Sequence, residues 1–293
     1  MRGERMRIGF VGAGRAGSAL ALALAQSGEA VVAAASRDLR TARSLADRIP
    51  GCRAVGSAQE AADGSDLVFL TVPDDAIGPL VESLFWRTGV AVVHCSGAAG
   101  REILEPAGRR GAETGAFHPL QTFPSVGAMA RLDGCTFAVE AEPPLLRELT
   151  RLAEGMGGRA LALPAGSRPL YHTSATLASN FLVALLAGAA GLWAKFGLSP
   201  EQAVEALLPL VRSTIDNVGR LGPRAALTGP IARGDVGTVR RQVEALRTAA
   251  PDMIGLYREL ALLTVEIAFE KGTLTAALKE QLKALLTELG GPD

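Results

Sequence analysis

Three glycines in the segment Gly12-Ala13-Gly14-Arg15-Ala16-Gly17 stand at the spacing that holds a pyrophosphate. The first allows a tight turn, the second lets the backbone approach the phosphates, and the third lets a helix pack closely on a strand. Unpaired N–H groups at a helix start, with the helix dipole behind them, favour an anion there. The flanks give the motif its weight: the apolar run Ile8-Gly9-Phe10-Val11 precedes it and an alanine-rich helical segment follows. The end of the second strand reads Ala35-Ser36-Arg37, where an NAD-preferring site places Asp or Glu. A hydroxyl and a guanidinium suit a 2′-phosphate instead, so the expected cofactor is NADP. Asp38 beside them reads as the N-cap of the next helix.

In an open α/β sheet the ligand lies outside the carboxyl ends of the strands, and three loops there are chemically rich. Val72-Pro73-Asp74-Asp75 offers backbone contact with the cofactor through Val72, Pro73 and Asp74, with Asp75 as a helix cap. His94-Cys95-Ser96-Gly97 follows a buried strand, which leaves Cys95 open to two readings, an inert packed thiol or a nucleophile. His118 opens the run His118-Pro119-Leu120-Gln121-Thr122-Phe123-Pro124. Further on, His172, Thr176 and Asn180 recur every four residues and so share one face of a helix. Polar groups on an otherwise apolar helix need partners, and a substrate is one candidate. The candidate acids are His118 and His172, whose ordinary pKa of about 6.5 suits proton transfer. Thr176, Asn180 and Ser96 are expected to orient the substrate, and convergence of His118 with the His172 face on one cleft is the expected geometry.

These residues require an α/β Rossmann domain followed by an all-α C-terminal domain, with the boundary at 165/166. Strand-like segments at Arg7–Gly12, Ala30–Ala35, Asp66–Val72, Val90–His94, Gly111–Phe117, Cys135–Val139 and Gly158–Leu163 alternate with helical ones, the pattern of a largely parallel sheet. From Ser167, the expected N-cap, helical periodicity takes over. One helix should run to about Phe196, followed by helices at about Pro200–Leu221, Asp235–Thr248, Ala250–Lys271 and Leu274–Leu289, with Gly290–Gly291 beyond.

Composition narrows the partners. Thirty basic and thirty acidic residues balance, which argues against a nucleic-acid binder. The three cysteines, Cys52, Cys95 and Cys135, form no CxxC pair, so no metal site or disulfide framework is expected, and a reducing cytoplasm fits. No signal peptide is expected. Ala175–Ala194 has the length and apolarity of a membrane span, but it is read as a buried helix of a soluble protein. Apolar surface on this segment and on Ile254–Phe269 predicts a two-fold homodimer through the helical domain.

Taken together, Gly12–Gly17, Ser36-Arg37, Val72-Pro73-Asp74-Asp75, His94-Cys95-Ser96-Gly97, the His118–Phe123 run and Thr228-Gly229-Pro230 with Arg233-Gly234-Asp235 resemble the Rossmann-like proteins that carry a domain of unknown function, DUF2520. That family is similar in plan to pyrroline-5-carboxylate reductase, 6-phosphogluconate dehydrogenase and prephenate dehydrogenase. The resemblance implies substrate held between a nucleotide domain and a helical, dimerising one. Asn180 matches the asparagine that follows a lysine by four residues in 6-phosphogluconate and hydroxyisobutyrate dehydrogenases; Thr176 stands at the lysine's position. The expectation is an NADP-dependent oxidoreductase acting on a small substrate. The alternatives are a protein that senses NADP(H) without turning it over, and a semialdehyde dehydrogenase using Cys95.

Overall fold

The computed structural model describes residues 6–123 and 132–288, so Pro124, Leu289 and Gly290–Gly291 lie outside the described residues. The chain divides into two units, Met1–Ser179 and Asn180–Asp293.

Among the described residues the first unit has eight strands: β1 (Arg7–Val11), β2 (Ala30–Ala35), β3 (Arg53–Val55), β4 (Leu67–Leu70), β5 (Ala91–His94), β6 (Glu113–Pro119), β7 (Thr136–Ala141) and β8 (Arg159–Ala162). Their order across the sheet is β3-β2-β1-β4-β5-β6-β7-β8. All neighbours are parallel except β6 and β7, which run antiparallel. The first six strands have the doubly wound order in which the topological switch falls between β1 and β4. Helices α1 (Arg15–Gln26), α2 (Leu39–Ala46), α3 (Ala58–Asp63), α4 (Asp74–Ser83), α5 (Glu105–Gly108) and α6 (Leu145–Gly155) connect the strands. Phe10, Phe69, Phe117 and Phe137 lie along one face of the sheet, with successive ring centroids 5.2, 5.7 and 4.7 Å apart. Because side chains alternate across a strand, burying Phe117 on that face sends its neighbour His118 to the other.

The turn after β1 shows why each glycine is where it is. Gly12 has a φ of +109°, and a Cβ there would lie 2.6 Å from the Thr71 carbonyl. A Cβ at Gly17 would collide with the Gly12 carbonyl oxygen and the Thr71 hydroxyl. Gly14 is different: it has ordinary extended backbone (φ −71°) and a Cβ there would meet nothing within 4 Å.

Helix α7 (Arg168–Ala178) closes the first unit, and three expectations change here. Ser167 holds the N-cap position but does not cap with its side chain: its backbone is already helical, and its hydroxyl donates back to the Pro164 carbonyl. The long helix is interrupted at Ser179 (φ −119°, ψ −71°). Beyond it, α8 (Asn180–Trp193) buries only Ala190, so it is not the buried core helix its apolarity suggested. Arg168–Phe196 does meet the length and hydropathy of a membrane-crossing helix, with 6% of the apolar window buried.

The second unit continues with α9 (Pro200–Ala226), α10 (Val236–Ala249), α11 (Ile254–Glu270) and α12 (Ala276–Thr287). Asp235 caps α10 by accepting from the Thr238 N–H, and Gly222 kinks α9 where the sequence placed its end. Val239, Val265, Leu282 and Leu286 form its core.

The glycine geometry separates two substitutions. Gly17→Ala forces a side chain into backbone and should lower stability by about 1–3 kcal/mol in urea denaturation. Gly14→Ser meets no atom and adds a favourable N-cap hydroxyl, so stability should stay within about 0.5 kcal/mol of the parent.

Candidate active site on the carboxyl edge of the sheet

Parallel strands put the ends of β1, β4, β5 and β6 on one edge. Across it, in order, stand the Gly12–Gly17 turn, Val72–Asp74, Ser96 and His118. Three strand spacings separate β1 from β6, about 14 Å. At the first position the helix start carries no side-chain cap, and the space over Gly14 is open. Neither the backbone angle nor any protein atom demands a glycine there, so the opening is a cradle that a Cβ would fill. Gly12, Ala13, Gly14, Arg15, Ala16 and Gly17 therefore fit a pyrophosphate. The Thr71–Val72 backbone lies directly against Gly12, which brings the Val72–Asp74 segment to the same place. Arg37 is exposed just past β2, with Ser36 half-buried before it. The carboxylate of Asp38 is engaged elsewhere: it accepts from the Arg40 N–H and pairs with the Arg40 guanidinium, which holds its pKa low. It does what the sequence assigned to it and leaves Arg37 as the cation facing outward.

The next loop is fully committed to its own architecture. The Ser96 hydroxyl donates to Asp74 at 2.6 Å and accepts from the N–H groups of Ala98 and Ala99 at 3.2 and 2.9 Å. Its one hydrogen and both lone pairs are used, so Ser96 fastens the loop to α4 and has nothing left to orient a substrate. Asp75 does not cap α4; it lies in its first turn, after Pro73 as N-cap. His94 is buried, takes the Ser96 N–H on Nδ1 (3.2 Å) and donates from Nε2 to the Gly100 carbonyl (3.1 Å). Burial, together with the nearby Arg168 charge, pushes its pKa down to about 4. Cys95 is half-buried, and desolvation pushes its thiol up to about 12. That is the opposite of an activated nucleophile, and it removes the basis for a cysteine mechanism. All three cysteines are free.

His118 and His172 do come together. Their rings lie 5.8 Å apart and perpendicular. Tyr171, which the sequence reading passed over, hydrogen-bonds His118 Nδ1 through its hydroxyl at 2.8 Å. Both rings hang over Gly97, where a Cβ would lie 2.9 Å from His118 Nε2 and would overlap His172 Nδ1. His172 Nδ1 is buried and has no hydrogen-bond partner among the described residues. Burial pushes the His118 pKa down to about 4, helped by His172 and Arg168, and burial pushes Tyr171 up to about 12. At neutral pH His118 is therefore uncharged, which corrects the expectation that it is a ready imidazolium acid. Thr176, the next residue of the expected face, donates its hydroxyl to the His172 carbonyl. Asn180 belongs to the second unit.

Beneath the pair lies Arg168, fully buried. Its guanidinium donates to Glu140 (3.0 Å), to the Ser96 carbonyl (2.8 Å) and to the Ala138 carbonyl (3.1 Å). A sequence signal for it existed only in hindsight: an arginine three and four residues before Tyr171 and His172 shares their helical face.

Comparison with known proteins agrees with this plan. Residues 1–119 match the model of a Rossmann-like domain, and residues 135–264 match the domain of unknown function DUF2520. The chain thus carries the two domains that its motifs resemble. No curated protein matches it. Among solved structures it is similar to a candidate NADP oxidoreductase of Bacteroides fragilis (26% identity, TM-score 0.71, covering 89% of this chain and 98% of that one). It is also similar to a protein of Thermotoga maritima (27% identity, TM-score 0.70, 90% and 99% covered). A reductive aminase of Aspergillus terreus, solved with NADPH and ethyl-5-oxohexanoate, shares the fold at 18% identity (TM-score 0.62, 97% and 93% covered).

The two low-pKa histidines have a consequence for stability. Each is held neutral in the fold, with a pKa of about 4 against an ordinary 6.5. Between those values the unfolded chain binds more protons, so stability is full above pH 6.5 and falls as pH drops toward 4. Each ring accounts for on the order of 3 kcal/mol of that loss. Denaturant titrations from pH 7 to 4 should show the decline, and His94→Gln should flatten it.

Proposed function

We propose that this chain, with its Rossmann-like and DUF2520 domains, is an NADP(H)-dependent reductase or dehydrogenase acting on a small substrate at the Tyr171–His118 pair. The observation that carries the reading is the 2.8 Å bond between those two side chains on the same edge of the sheet as the open Gly14 cradle. Gly12–Gly17 would hold the pyrophosphate, and Ser36 with Arg37 the 2′-phosphate. When bound, NADPH supplies a hydride. The solved neighbours whose names mention NADP or NADPH support that cofactor.

The chain's own part is the proton. In its Nδ1–H tautomer, neutral His118 donates to the Tyr171 oxygen, which leaves the phenolic hydrogen free for the substrate. After transfer the same imidazole N–H stabilises the phenolate. A phenol at about 12 is a weak acid in water. It is still a far stronger acid than the alcohol it would make, since hydroxyl groups of that kind ionise near roughly 16. Proton transfer to the oxyanion or amide anion left by hydride addition is therefore downhill. His172, with its unpartnered Nδ1, and Thr176 line the approach and contribute substrate hydrogen bonds; the break at Ser179 removes the shared helical face that had put Asn180 with them.

The helical unit is proposed to pair with a second copy. Val183, Leu210 and Leu263 are 69%, 65% and 60% exposed, and a largely apolar groove of about 470 Å³ runs between α8, α10 and α11, lined by Leu185, Leu192, Leu246, Met253, Leu256 and Leu260. Surface of this kind is uncommon on a monomer. Light scattering at micromolar concentration should return the mass of a dimer; a monomer that instead floats with lipid vesicles would assign the face to a membrane.

Substitutions separate the halves of the reading. Gly14→Ser should weaken NADPH binding without loss of stability, and Arg37→Asp should lower NADPH affinity about tenfold or more while favouring NADH. Tyr171→Phe should leave both affinities intact and slow NADPH oxidation about 10²–10⁴-fold with a responsive imine, 2-oxo acid or semialdehyde. NADPH binding with no turnover across that panel would instead favour a cofactor sensor.

A further inference from the structure

Arg168 is the first residue of α7, and its side chain reaches into the sheet while the helix runs on from it. Its three acceptors come from two separate parts of the sheet. Glu140 and the Ala138 carbonyl belong to β7; the Ser96 carbonyl belongs to the loop after β5. Ala138 is also the residue opposite His118 in the β6–β7 register. The guanidinium therefore grips the position opposite His118. From that anchor, Tyr171 and His172 follow at three and four residues, on the same face of α7. The Ser96 end of the grip is itself tied down by Asp74, Ala98 and Ala99. The chain of contacts closes on itself: β7 to Arg168, along one turn of α7 to Tyr171, across to His118 on β6, and back by strand pairing to β7.

We infer that Arg168, with Glu140, is the positioning residue of the site: it fixes α7 against the sheet so that Tyr171 meets His118 over Gly97. A planar guanidinium donates in several fixed directions at once, which a lysine ammonium on the same stem cannot reproduce. A displacement of about 1 Å in a proton donor is enough to cost on the order of 10²-fold in rate. The catalytic meaning of the inference rests on the function proposed above; the structural claim does not.

Arg168→Lys tests it in two ways. The first needs neither cofactor nor substrate. His118 is faced by Tyr171, His172 and Arg168 from α7 and its start, by Asp74 from α4 and by His94 from β5. In nuclear magnetic resonance titrations the parent His118 should stay neutral to about pH 4, and Arg168→Lys should move its titration toward the ordinary value of about 6.5. Tyr171→Phe should abolish the Nδ1 hydrogen-bond signature that Arg168→Lys weakens. The second is a double-mutant cycle on NADPH oxidation. Arg168→Lys should lower kcat about 10–100-fold in the parent, with NADPH affinity unchanged, but less than about threefold in the Tyr171→Phe background. A general loss of structure would lower kcat equally in both. Should Arg168→Lys fail to fold, the paired replacement Arg168→Met with Glu140→Leu removes both charges together, a change that buried ion pairs often tolerate, and the same readouts apply. An unmoved His118 titration with an intact Tyr171 bond overturns the inference, whatever the enzyme proves to catalyse. A moved titration in a protein that oxidises no NADPH upholds the positioning and overturns the reductase.

Discussion

A guanidinium with no exposure to water must be matched by acceptors on every side, and that requirement organises the carboxyl edge of the sheet. Removing an arginine from water costs several kcal/mol unless each of its nitrogens finds an acceptor. Here one carboxylate and two backbone carbonyls meet it, from β7 and from the loop after β5. The demand is geometric as well as electrostatic. The two strand regions cannot shift relative to each other, and α7 cannot slide on them, without leaving a donor or an acceptor unpaired. Everything that α7 carries inherits that precision.

The same guanidinium shapes the chemistry around it. Two histidines lie within its field, and burial plus that field keeps both neutral. They then take different parts. His94 is consumed by the loop, one nitrogen accepting from Ser96 and the other donating to Gly100. His118 gives Nδ1 to Tyr171 and presents Nε2 beside His172 Nδ1, which has no partner among the described residues. The pair is a phenol supported by an imidazole, both uncharged at neutral pH; in the proposed function it would serve as the proton donor.

Much of this was legible in the residues. The glycine spacing, its flanking strand and helix, and the absence of a carboxylate after β2 mark a local device whose parts are neighbours in sequence. Convergence of His118 with His172 followed from strand polarity and helix face. What escaped was whatever depends on tertiary partners. Tyr171 looks like any half-buried aromatic until His118 is beside it. Arg168 and Glu140 are ordinary charges until they are buried together. Ser96 appears available until its loop closes on it. The three-residue strand β3 and the short α3 have too few residues to show a period. The apolar run after Asn180 announced burial but not by what, because periodicity records that a face avoids water and is silent on whether the same chain covers it.

The central claim joins two places about 14 Å apart on one edge, a dinucleotide cradle at Gly14 and a proton donor at Tyr171. A crystal structure of the protein with NADPH tests that claim most directly. The account predicts the pyrophosphate on the backbone of Gly12–Gly17, the 2′-phosphate at Ser36 and Arg37, and the nicotinamide directed along the edge toward Tyr171 and His118. A dinucleotide bound elsewhere, or one whose nicotinamide points away from that pair, would contradict it.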